Sequence, residues 1–343
     1  MAVGIVYDPV YLKHDTGNHV ENPRRLAGML SSLESSVLSR LVSISPRPAA
    51  QPELALVHSA QHIHNIQSMA LKGGGWIDAD TVVSQGSFEA AVHAAGGAIA
   101  AAEAVMSGQV GRGFALVRPP GHHATRDRAM GFCLFNNVAI AARYLLSKYP
   151  LDRLAIIDFD VHHGNGTQAA FETEPRVLYV STHQHPLYPG TGHLEEIGSG
   201  EALGTKINIP LPAGCGDVEY KMVYEQIVIP AVKRFNPQFV LVSAGFDAHW
   251  ADNISAMQVS ITGFAEMVKL IKGLADEICG ERLVLLLEGG YNLEALSAAV
   301  QATFKVLLGE VNITDPLGPS PRTQTPLDIG DLIRRLREVH KLA

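Results

Sequence analysis

Residues 156–168 read IIDFDVHHGNGTQ, an apolar, strand-sized run that passes directly into two aspartates, two histidines and a Gly-Asn-Gly turn. A packed core has no use for so many polar groups at one strand end, because each would need its own hydrogen-bond partner. In open parallel sheets, ligand sites lie beyond the carboxyl ends of the strands. The stretch therefore predicts a strand of such a sheet with a functional site at its end.

Four more apolar runs resemble the one that opens this stretch. All five are continuous rather than alternating, as expected for strands of a parallel sheet that is covered on both faces. They are residues 114–117, 154–158, 177–181, 239–245 and 283–290. Helical patterns separate them, so we predict a single α/β domain with a mostly parallel central sheet and helices on both faces.

Capping residues predict where several of these helices begin. Pro230 should kink or split the helix over residues 218–235, and an Ala-rich helix is expected over 87–107. The predicted caps are Asn136 or Asn137 for a helix that stops at Pro150, Asp217 for 218–235, Thr262 for 263–279 and Asn292 for 293–308. We assign residues 1–313 to one catalytic domain, and 314–343 to a Pro-rich linker and a terminal helix that packs on that domain.

The composition excludes several classes of function. The 343 residues carry a formal net charge of -7, which argues against binding of nucleic acid by bulk charge. Three widely spaced cysteines support neither a disulfide framework nor a structural Cys-zinc site. We find no secretory signal and no apolar run long enough for a bilayer, so we expect a cytoplasmic protein without membrane attachment. The oligomeric state stays open.

Each of the five runs ends in a polar cluster, and three residues in these clusters suit a metal ion. Asp160 and His162 are two positions apart, so on an extended chain they point to the same side. Asp247, at the end of another run, could complete an Asp-His-Asp set that leaves an open position, as in catalytic zinc sites. Zinc would polarise a carbonyl and activate water. Ferrous iron would also accept this ligand set.

Other residues of the clusters suit proton transfer. The tandem His122 and His123 can move protons, Asp158 could hold one imidazole in the right tautomer, and Asn165 could bond the other. Tyr291 follows two glycines, and its hydroxyl is a suitable oxyanion donor. Taken singly, each of these residues is more simply structural. Their joint occurrence favours one site.

Several polar residues have a simpler interpretation. Arg118 would fix the RPPG turn, and Cys133 would be a small packed residue. Seven other histidines are most simply on the surface or in helices; they are His14, His19, His58, His62, His64, His93 and His340.

Six motifs occur in the order typical of one known family. They are RPPGHHA (118–124), MGFCLFNNVAIAA (130–142), DFDVHHGNGTQ (158–168), YPGTG (188–192), AGFDAH (244–249) and EGGYN (288–292). On these motifs the chain resembles the zinc-dependent histone deacetylase superfamily, with its arginase/deacetylase-like fold, over roughly its first 310 residues. That superfamily includes acetylpolyamine amidohydrolases and bacterial deacetylase-like amidohydrolases. Asn165 resembles the class II branch.

The resemblance implies a role for each matching position. The zinc ligands would be Asp160, His162 and Asp247. The catalytic residues would be His123 as general base and acid, His122 as its electrostatic partner, Tyr291 as oxyanion donor, Asp158 orienting His122, and Asn165 behind His123. Gly131, Phe132 and Tyr188 would line a substrate tunnel. A structural potassium ion would bind at Asp158, Asp160, His162, Ser181 and Thr182. Arg25 would lie near the cavity through which acetate leaves.

The expected reaction is removal of an acetyl or other acyl group from an acyl-lysine side chain, with release of acetate. Acetylpolyamine hydrolysis is the alternative. Polyamine specificity in relatives is associated with an acidic residue at the tunnel mouth, where we align Ile254, so an apolar residue favours acyl-lysine. An arginase-like two-metal hydrolase would need further bridging carboxylates that the motifs lack. A non-catalytic scaffold that binds acylated ligands should have lost a ligand, a histidine or Tyr291, and all are present.

Overall fold

The fold is an α/β domain, and the computed structural model describes residues 2–321 and 325–342 of it. The strands are β1 (Val3–Val6), β2 (Leu41–Ile44), β3 (Gly74–Trp76), β4 (Val82–Ser84), β5 (Arg112–Ala115), β6 (Leu154–Asp158), β7 (Val177–Gln184), β8 (Lys206–Leu211), β9 (Val240–Ala244) and β10 (Leu283–Leu287). The α-helices are α1 (Met29–Ser32), α2 (Ser35–Leu38), α3 (Gln51–Leu54), α4 (Ala60–Leu71), α5 (Ser87–Met106), α6 (Asn137–Lys148), α7 (Asn165–Ala170), α8 (Asp217–Val223), α9 (Ile229–Phe235), α10 (Ile261–Ile278), α11 (Leu293–Leu307) and α12 (Gly330–His340).

Eight strands form one parallel sheet in the order β2-β1-β5-β10-β9-β6-β7-β8, and β3 and β4 form a separate antiparallel hairpin. The prediction of a mostly parallel α/β sheet is confirmed. The five predicted runs form β5, β10, β9, β6 and β7, which lie next to one another in the sheet in that order. Their carboxyl ends are therefore neighbours at one edge. Helix α5 packs on β1, β5 and β10, and α6 packs on β6 and β9.

The capping predictions are half right. Asn136 caps α6 by accepting from Ala139 N at 3.0 Å, and Asn292 caps α11 in the same way. Thr262 is wrong as a cap, because Ser260 already takes the extended backbone conformation and accepts from Gly263 N at 3.1 Å. Asp217 is also wrong: it is the first residue of α8, and its carboxylate accepts from Ser260 N instead.

The helix predicted over 218–235 is interrupted, as expected near Pro230. A π-helical turn over Tyr224–Val228 separates α8 from α9, and Pro230 lies in the first turn of α9, where its missing N–H is tolerated.

The carboxyl-terminal segment follows the main domain in the chain. Helix α12 buries Ile333 and Leu336 in the hydrophobic core, and Arg234 donates to the carbonyl oxygen of His340 at 2.5 Å. Residues 322–324 and 343, which belong to the predicted linker and terminal helix, lie outside the described residues, as does Met1. In the described part of the chain, no helix combines the length and apolar character that crossing a membrane requires.

Two histidines differ from the surface-or-helix prediction. His14 and His58 are both 1% exposed and lie outside the α-helices. The rings are buried because each has a hydrogen-bond partner there: His14 Nδ1 lies 2.6 Å from Ser87 Oγ, and His58 Nδ1 lies 2.9 Å from the Thr125 carbonyl oxygen. A neutral imidazole with such partners can be buried at modest cost.

Candidate active site

The predicted metal ligands converge at the carboxyl ends of β6 and β9. One ligand atom from each of Asp160, His162 and Asp247 lies within 4.8 Å of the other two, and all three residues are buried. His162 Nδ1 is 3.1 Å from Asp160 Oδ1 and 3.3 Å from Asp247 Oδ2. Because β6 and β9 are adjacent in the sheet, residues distant in sequence meet at one point.

These residues fit a metal ion. Asp247 Oδ1 accepts from Val161 N at 3.0 Å, but Oδ2 is buried and, among the described residues, accepts no well-aligned hydrogen bond. A buried carboxylate oxygen without a donor is costly, and a cation would satisfy it. Glycine is also required nearby: a Cβ at Gly289 would overlap Asp247 Oδ2 and lie 2.6 Å from Asp160 Oδ2. The carboxylate and imidazole donors suit zinc or ferrous iron.

The histidine pair lies beside this set. The rings of His122 and His123 have centroids 4.0 Å apart. His122 Nδ1 lies 3.1 Å from Asp158 Oδ2, and His123 Nδ1 lies 2.8 Å from Asn165 Oδ1. An amide oxygen only accepts, so His123 carries its proton on Nδ1 and keeps the Nε2 lone pair for a proton from outside.

The two imidazoles have opposite electrostatics. Burial alone would lower the pKa of His122, but the carboxylates of Asp160 and Asp158 outweigh it and raise that pKa to about 10. Burial lowers the pKa of His123 well below its usual range, and the positive charge of His122 adds to this. The site therefore pairs a protonated imidazole with a neutral one, which is the state that a general base needs.

Tyr291 follows β10 after two glycines. Burial raises the pKa of its phenol well above the usual value, so the hydroxyl stays protonated and can donate. The guanidinium of Arg25 lies 4.8 Å from the centre of the Tyr291 ring. Arg25 also donates to the carbonyl oxygens of Gly290, at 2.7 Å, and Glu288, at 2.5 Å. Arg25 thus fixes the backbone that carries Tyr291.

A cavity of about 230 Å³ leads from the surface to these residues. It brings together every residue predicted to contact the substrate. The lining comprises Asp80, Pro120, His122, His123, Gly131, Phe132, His162, Leu187, Tyr188, Ile254, Gly289 and Tyr291. The cavity, called the tunnel below, is small and has aromatic walls formed by Phe132, Tyr188 and Tyr291, which suits a linear alkyl amide rather than a bulky one.

The wall of the tunnel has an unusual backbone. Gly131 and Phe132 both have positive φ angles, 55° and 68°, and the left-handed region is unfavourable for phenylalanine. A Cβ at Gly131 would overlap His123 and lie 2.9 Å from Tyr188. The turn holds the Phe132 ring at the mouth, with its centroid 5.6 Å from that of Tyr291 and an interplanar angle of 85°.

Three of the five residues predicted for potassium lie on two adjacent strands. Asp158 and Ser181 are register partners on β6 and β7, and Thr182 Oγ1 lies 3.4 Å from the Asp158 carbonyl oxygen. They are buried, and they are next to Asp160 and His162 in the fold.

The sequence reasoning gave no role to Glu288, which lies beneath the histidine pair. Its side chain is fully buried, and Oε2 accepts from Gly121 N at 2.6 Å and from His122 N at 3.2 Å. Ser243 Oγ donates to Oε1 at 3.3 Å. A ligand atom of Glu288 also lies within 4.8 Å of one from His122 and one from Cys133, but all three side chains already have hydrogen-bond partners. The signal in the sequence was a glutamate at the end of LVLLL, a run buried on both faces.

Two further buried carboxylates support the site and were also missed. Asp252 Oδ2 accepts from the backbone N–H groups of Tyr291, at 2.6 Å, and Asn292, at 3.0 Å. Glu21 pairs with Arg25 and with Arg118, whose Nε lies 2.5 Å from Glu21 Oε1. Arg118 also donates to the Tyr11 carbonyl oxygen, which agrees with its predicted role in fixing the loop.

Comparison with known proteins gives a consistent result. The histone deacetylase domain matches residues 19–307. The chain is 44% identical to a probable deacetylase of Archaeoglobus fulgidus, over 86% of this chain and 82% of that protein. It is 38% identical to the chloroplastic histone deacetylase 14 of Arabidopsis thaliana, over 96% and 83%. The crystal structure of the HDA15 HD domain superposes with a TM-score of 0.89 at 35% identity, covering 99% of this chain and 95% of that one.

Fold and site thus define a hydrolase of the deacetylase type. The chain belongs to the histone deacetylase family, as the motifs predicted.

Proposed function

We propose that this protein is a zinc-dependent amidohydrolase that removes acetyl or other acyl groups from acyl-lysine side chains and releases acetate. One observation carries the proposal: the buried Asp160, His162 and Asp247 set lies at the inner end of the tunnel, where His162 lines the cavity beside a neutral histidine and a tyrosine. These are the groups that hydrolysis of an unactivated amide requires.

The three ligands would hold the metal, which, when bound, supplies a Lewis acid for the acyl carbonyl and lowers the pKa of water. The Nε2 atom of His123 accepts a proton from the attacking water, because Nδ1 is hydrogen-bonded to Asn165. The Tyr291 hydroxyl donates to the carbonyl oxygen as negative charge develops on it. A protonated histidine then delivers a proton to the departing amine. Asp158 keeps His122 oriented throughout.

Further assignments belong to the same proposal. Gly131, Phe132, Tyr188 and Ile254 would enclose the alkyl chain of the substrate. A structural potassium ion would bind among Asp158, Asp160, His162, Ser181 and Thr182, partly through backbone carbonyls. Arg25 would lie on the exit path of acetate. Ferrous iron stays an alternative to zinc, since the donor set suits both.

Acetylpolyamine hydrolysis is the second candidate, and one observation favours it. The carboxylate of Asp80 lines the tunnel and could attract an ammonium group. Against it, the residue aligned with the specificity position, Ile254, is apolar and lines the same tunnel. The two candidates differ in the substrate beyond the acyl amide, so one assay separates them.

The decisive experiment compares kcat/KM of the zinc-loaded protein on an acetyl-lysine peptide and on N-acetylputrescine, with Tyr291→Phe as the control. We expect the peptide to react faster, and the variant to lose about 100-fold to 1000-fold in kcat. Faster turnover of N-acetylputrescine would favour the polyamine candidate. A fully metal-loaded protein that hydrolyses neither substrate would contradict both. Reconstitution with zinc or ferrous iron in parallel identifies the more active metal.

A further inference from the structure

A second concavity opens beside the tunnel mouth. This groove, of about 440 Å³, is larger than the tunnel and shares Ile254 and Tyr291 with it. We call it the rim groove; it is lined by Val20, Ala251, Asp252, Asn253, Ile254, Tyr291, Asn292 and Leu293. Ile254 therefore has one side in the tunnel wall and the other in the groove.

The polar side chains in the floor of the rim groove already have hydrogen-bond partners within the protein. Asp252 Oδ2 accepts from two backbone N–H groups, and Oδ1 accepts from Ile254 N at 3.3 Å. Asn292 caps α11 through Oδ1 and donates to the Ala251 carbonyl oxygen at 3.0 Å through Nδ2. Asn253, at the edge, is exposed. The floor thus has few hydrogen-bonding groups left for a polar ligand.

The walls of the rim groove are apolar and open to solvent. Val20 is 52% exposed and Leu293 is 40% exposed. Among the residues that the structure describes, no lysine or arginine lines the groove, and no basic group there faces an acidic ligand. Apolar surface in a concavity gains free energy when another apolar group covers it, at roughly 25 cal/mol per Å².

We propose that the rim groove binds the apolar side chain of the residue next to the acyl-lysine, so that the substrate is a polypeptide with an aliphatic residue beside the modified lysine. The inference rests on the proposed acyl-lysine activity. Neighbouring residues of a chain have Cα atoms about 3.8 Å apart, so a residue adjacent to a lysine in the tunnel reaches a groove that shares two wall residues with it. The ammonium of a free diamine would meet only apolar walls and an already bonded carboxylate there.

The test uses acetyl-lysine peptides that carry Leu or Ser next to the modified lysine, on one side and then on the other, together with acetyl-lysine amide. The proteins are wild type, Val20→Ser, Leu293→Ser and Leu293→Met. Val311→Ser is a matched control, because Val311 is 79% exposed and lines a different concavity.

We expect wild type, Leu293→Met and the control to favour the Leu peptide by about tenfold in kcat/KM at one of the two positions. The two serine variants of the groove should reduce that preference to about twofold while turning over acetyl-lysine amide at the wild-type rate.

Hydrolysis of acetyl-lysine amide with no preference for Leu at either position would overturn the inference and leave the proposed function intact. So would a preference that persists in both groove variants. Loss of turnover on every acetyl-lysine substrate by metal-loaded wild type would overturn the proposed function, and the inference with it.

Discussion

The inner end of the tunnel and its mouth differ in how their side chains are held. At the inner end, Asp158, Asp160 and Asp247 are at most 1% exposed, and each accepts at least one hydrogen bond from a neighbouring backbone or side chain. At the mouth, Tyr188 is 37% exposed and Ile254 is half-buried, and both contribute apolar surface to the tunnel lining. One end is fixed by polar contacts, and the other presents apolar surface to whatever enters.

This difference separates the residues that carry out the reaction from the residues that select the substrate. Charges at the buried end act in a low dielectric and require no reorganisation during the reaction, so small displacements there should lower kcat. Apolar groups at the mouth would contact the substrate equally in the ground state and in the transition state. Changes there should therefore alter the ratio of kcat/KM between two substrates.

The largest effect should follow Asp247→Ala at the inner end. The variant removes the carboxylate whose Oδ2, among the described residues, accepts no well-aligned hydrogen bond, and with it one of the three proposed metal ligands. We expect metal content to fall and kcat to drop by roughly a thousandfold or more, because even residues behind a ligand are worth 10-fold to 100-fold. Metal analysis and steady-state kinetics measure both. Full metal content with normal turnover would show that the ion binds elsewhere.

Glu288→Ala should have the next largest effect. The variant leaves the Gly121 and His122 N–H groups without their acceptor, so the histidine pair shifts. We expect kcat to fall by about 10-fold to 100-fold with KM nearly unchanged, since the substrate does not touch this side chain.

Glu288→Gln is the matched control for this change, because the amide oxygen can still accept from Gly121 N. It should recover most of the activity. Equal losses in the two variants, or a change confined to KM, would refute the positioning effect. Thermal melts of both variants separate it from a loss of folding.

Ile254→Asp at the mouth should change selection rather than chemistry. A carboxylate in the tunnel wall would attract the ammonium of N-acetylputrescine and repel nothing in an uncharged acetyl-lysine peptide. We expect the ratio of kcat/KM for the polyamine over the peptide to rise by about 5-fold to 10-fold. Raising the salt concentration should reduce the gain. An equal loss of kcat/KM on both substrates would mean that Ile254 supports the reaction itself rather than the selection of the substrate.

The smallest effect on catalysis should come from His340, which lies in neither region. Its side chain is 3% exposed, and among the described residues neither ring nitrogen has a hydrogen-bond partner. Burial, helped by the charge of Arg234, lowers its pKa to about 4. Below pH 6.5 the unfolded chain binds a proton here that the folded chain does not, so stability falls as the pH drops from about 6.5 towards 4.

We therefore expect His340→Leu to be more stable relative to wild type at pH 5 than at pH 8, by about 2 kcal/mol. Chemical denaturation at the two pH values measures the difference, and kcat at pH 8 should be unchanged. An equal stability difference at both pH values would exclude titration of His340 as its source.

The sequence predicted the middle of the fold better than its margins. The runs that became β5, β10, β9, β6 and β7 are buried on both faces, so they are continuously apolar and easy to recognise. The missed strands β1, β2 and β8 lie at the margins of the sheet, where LVSI and KINIPL contain polar residues. The antiparallel hairpin of β3 and β4 was missed because glycines dominate its first strand.

The site shows the same division. Asp160, His162 and Asp247 could be anticipated, because metal ligands at strand ends have a spacing that the sequence displays. Glu288 and Asp252 could not be given roles, since their partners are backbone N–H groups far away in the chain. A sequence does not show which N–H groups lack an acceptor; only the assembled loops do. The rim groove is likewise formed by segments more than 200 residues apart.

The order of strands has a consequence for synthesis. Strand β10 is the last strand in the chain, yet it lies in the middle of the sheet, between β5 and β9. A nascent polypeptide that has not emerged past Leu287 can pair β2, β1 and β5 as one piece, and β9, β6, β7 and β8 as another. No strand pairing joins the piece with His122 to the piece with Asp160 until the ribosome has delivered β10, with Tyr291 just behind it. Incomplete chains therefore lack both β10 and Tyr291, so we expect hydrolytic competence to be acquired in one late step of folding.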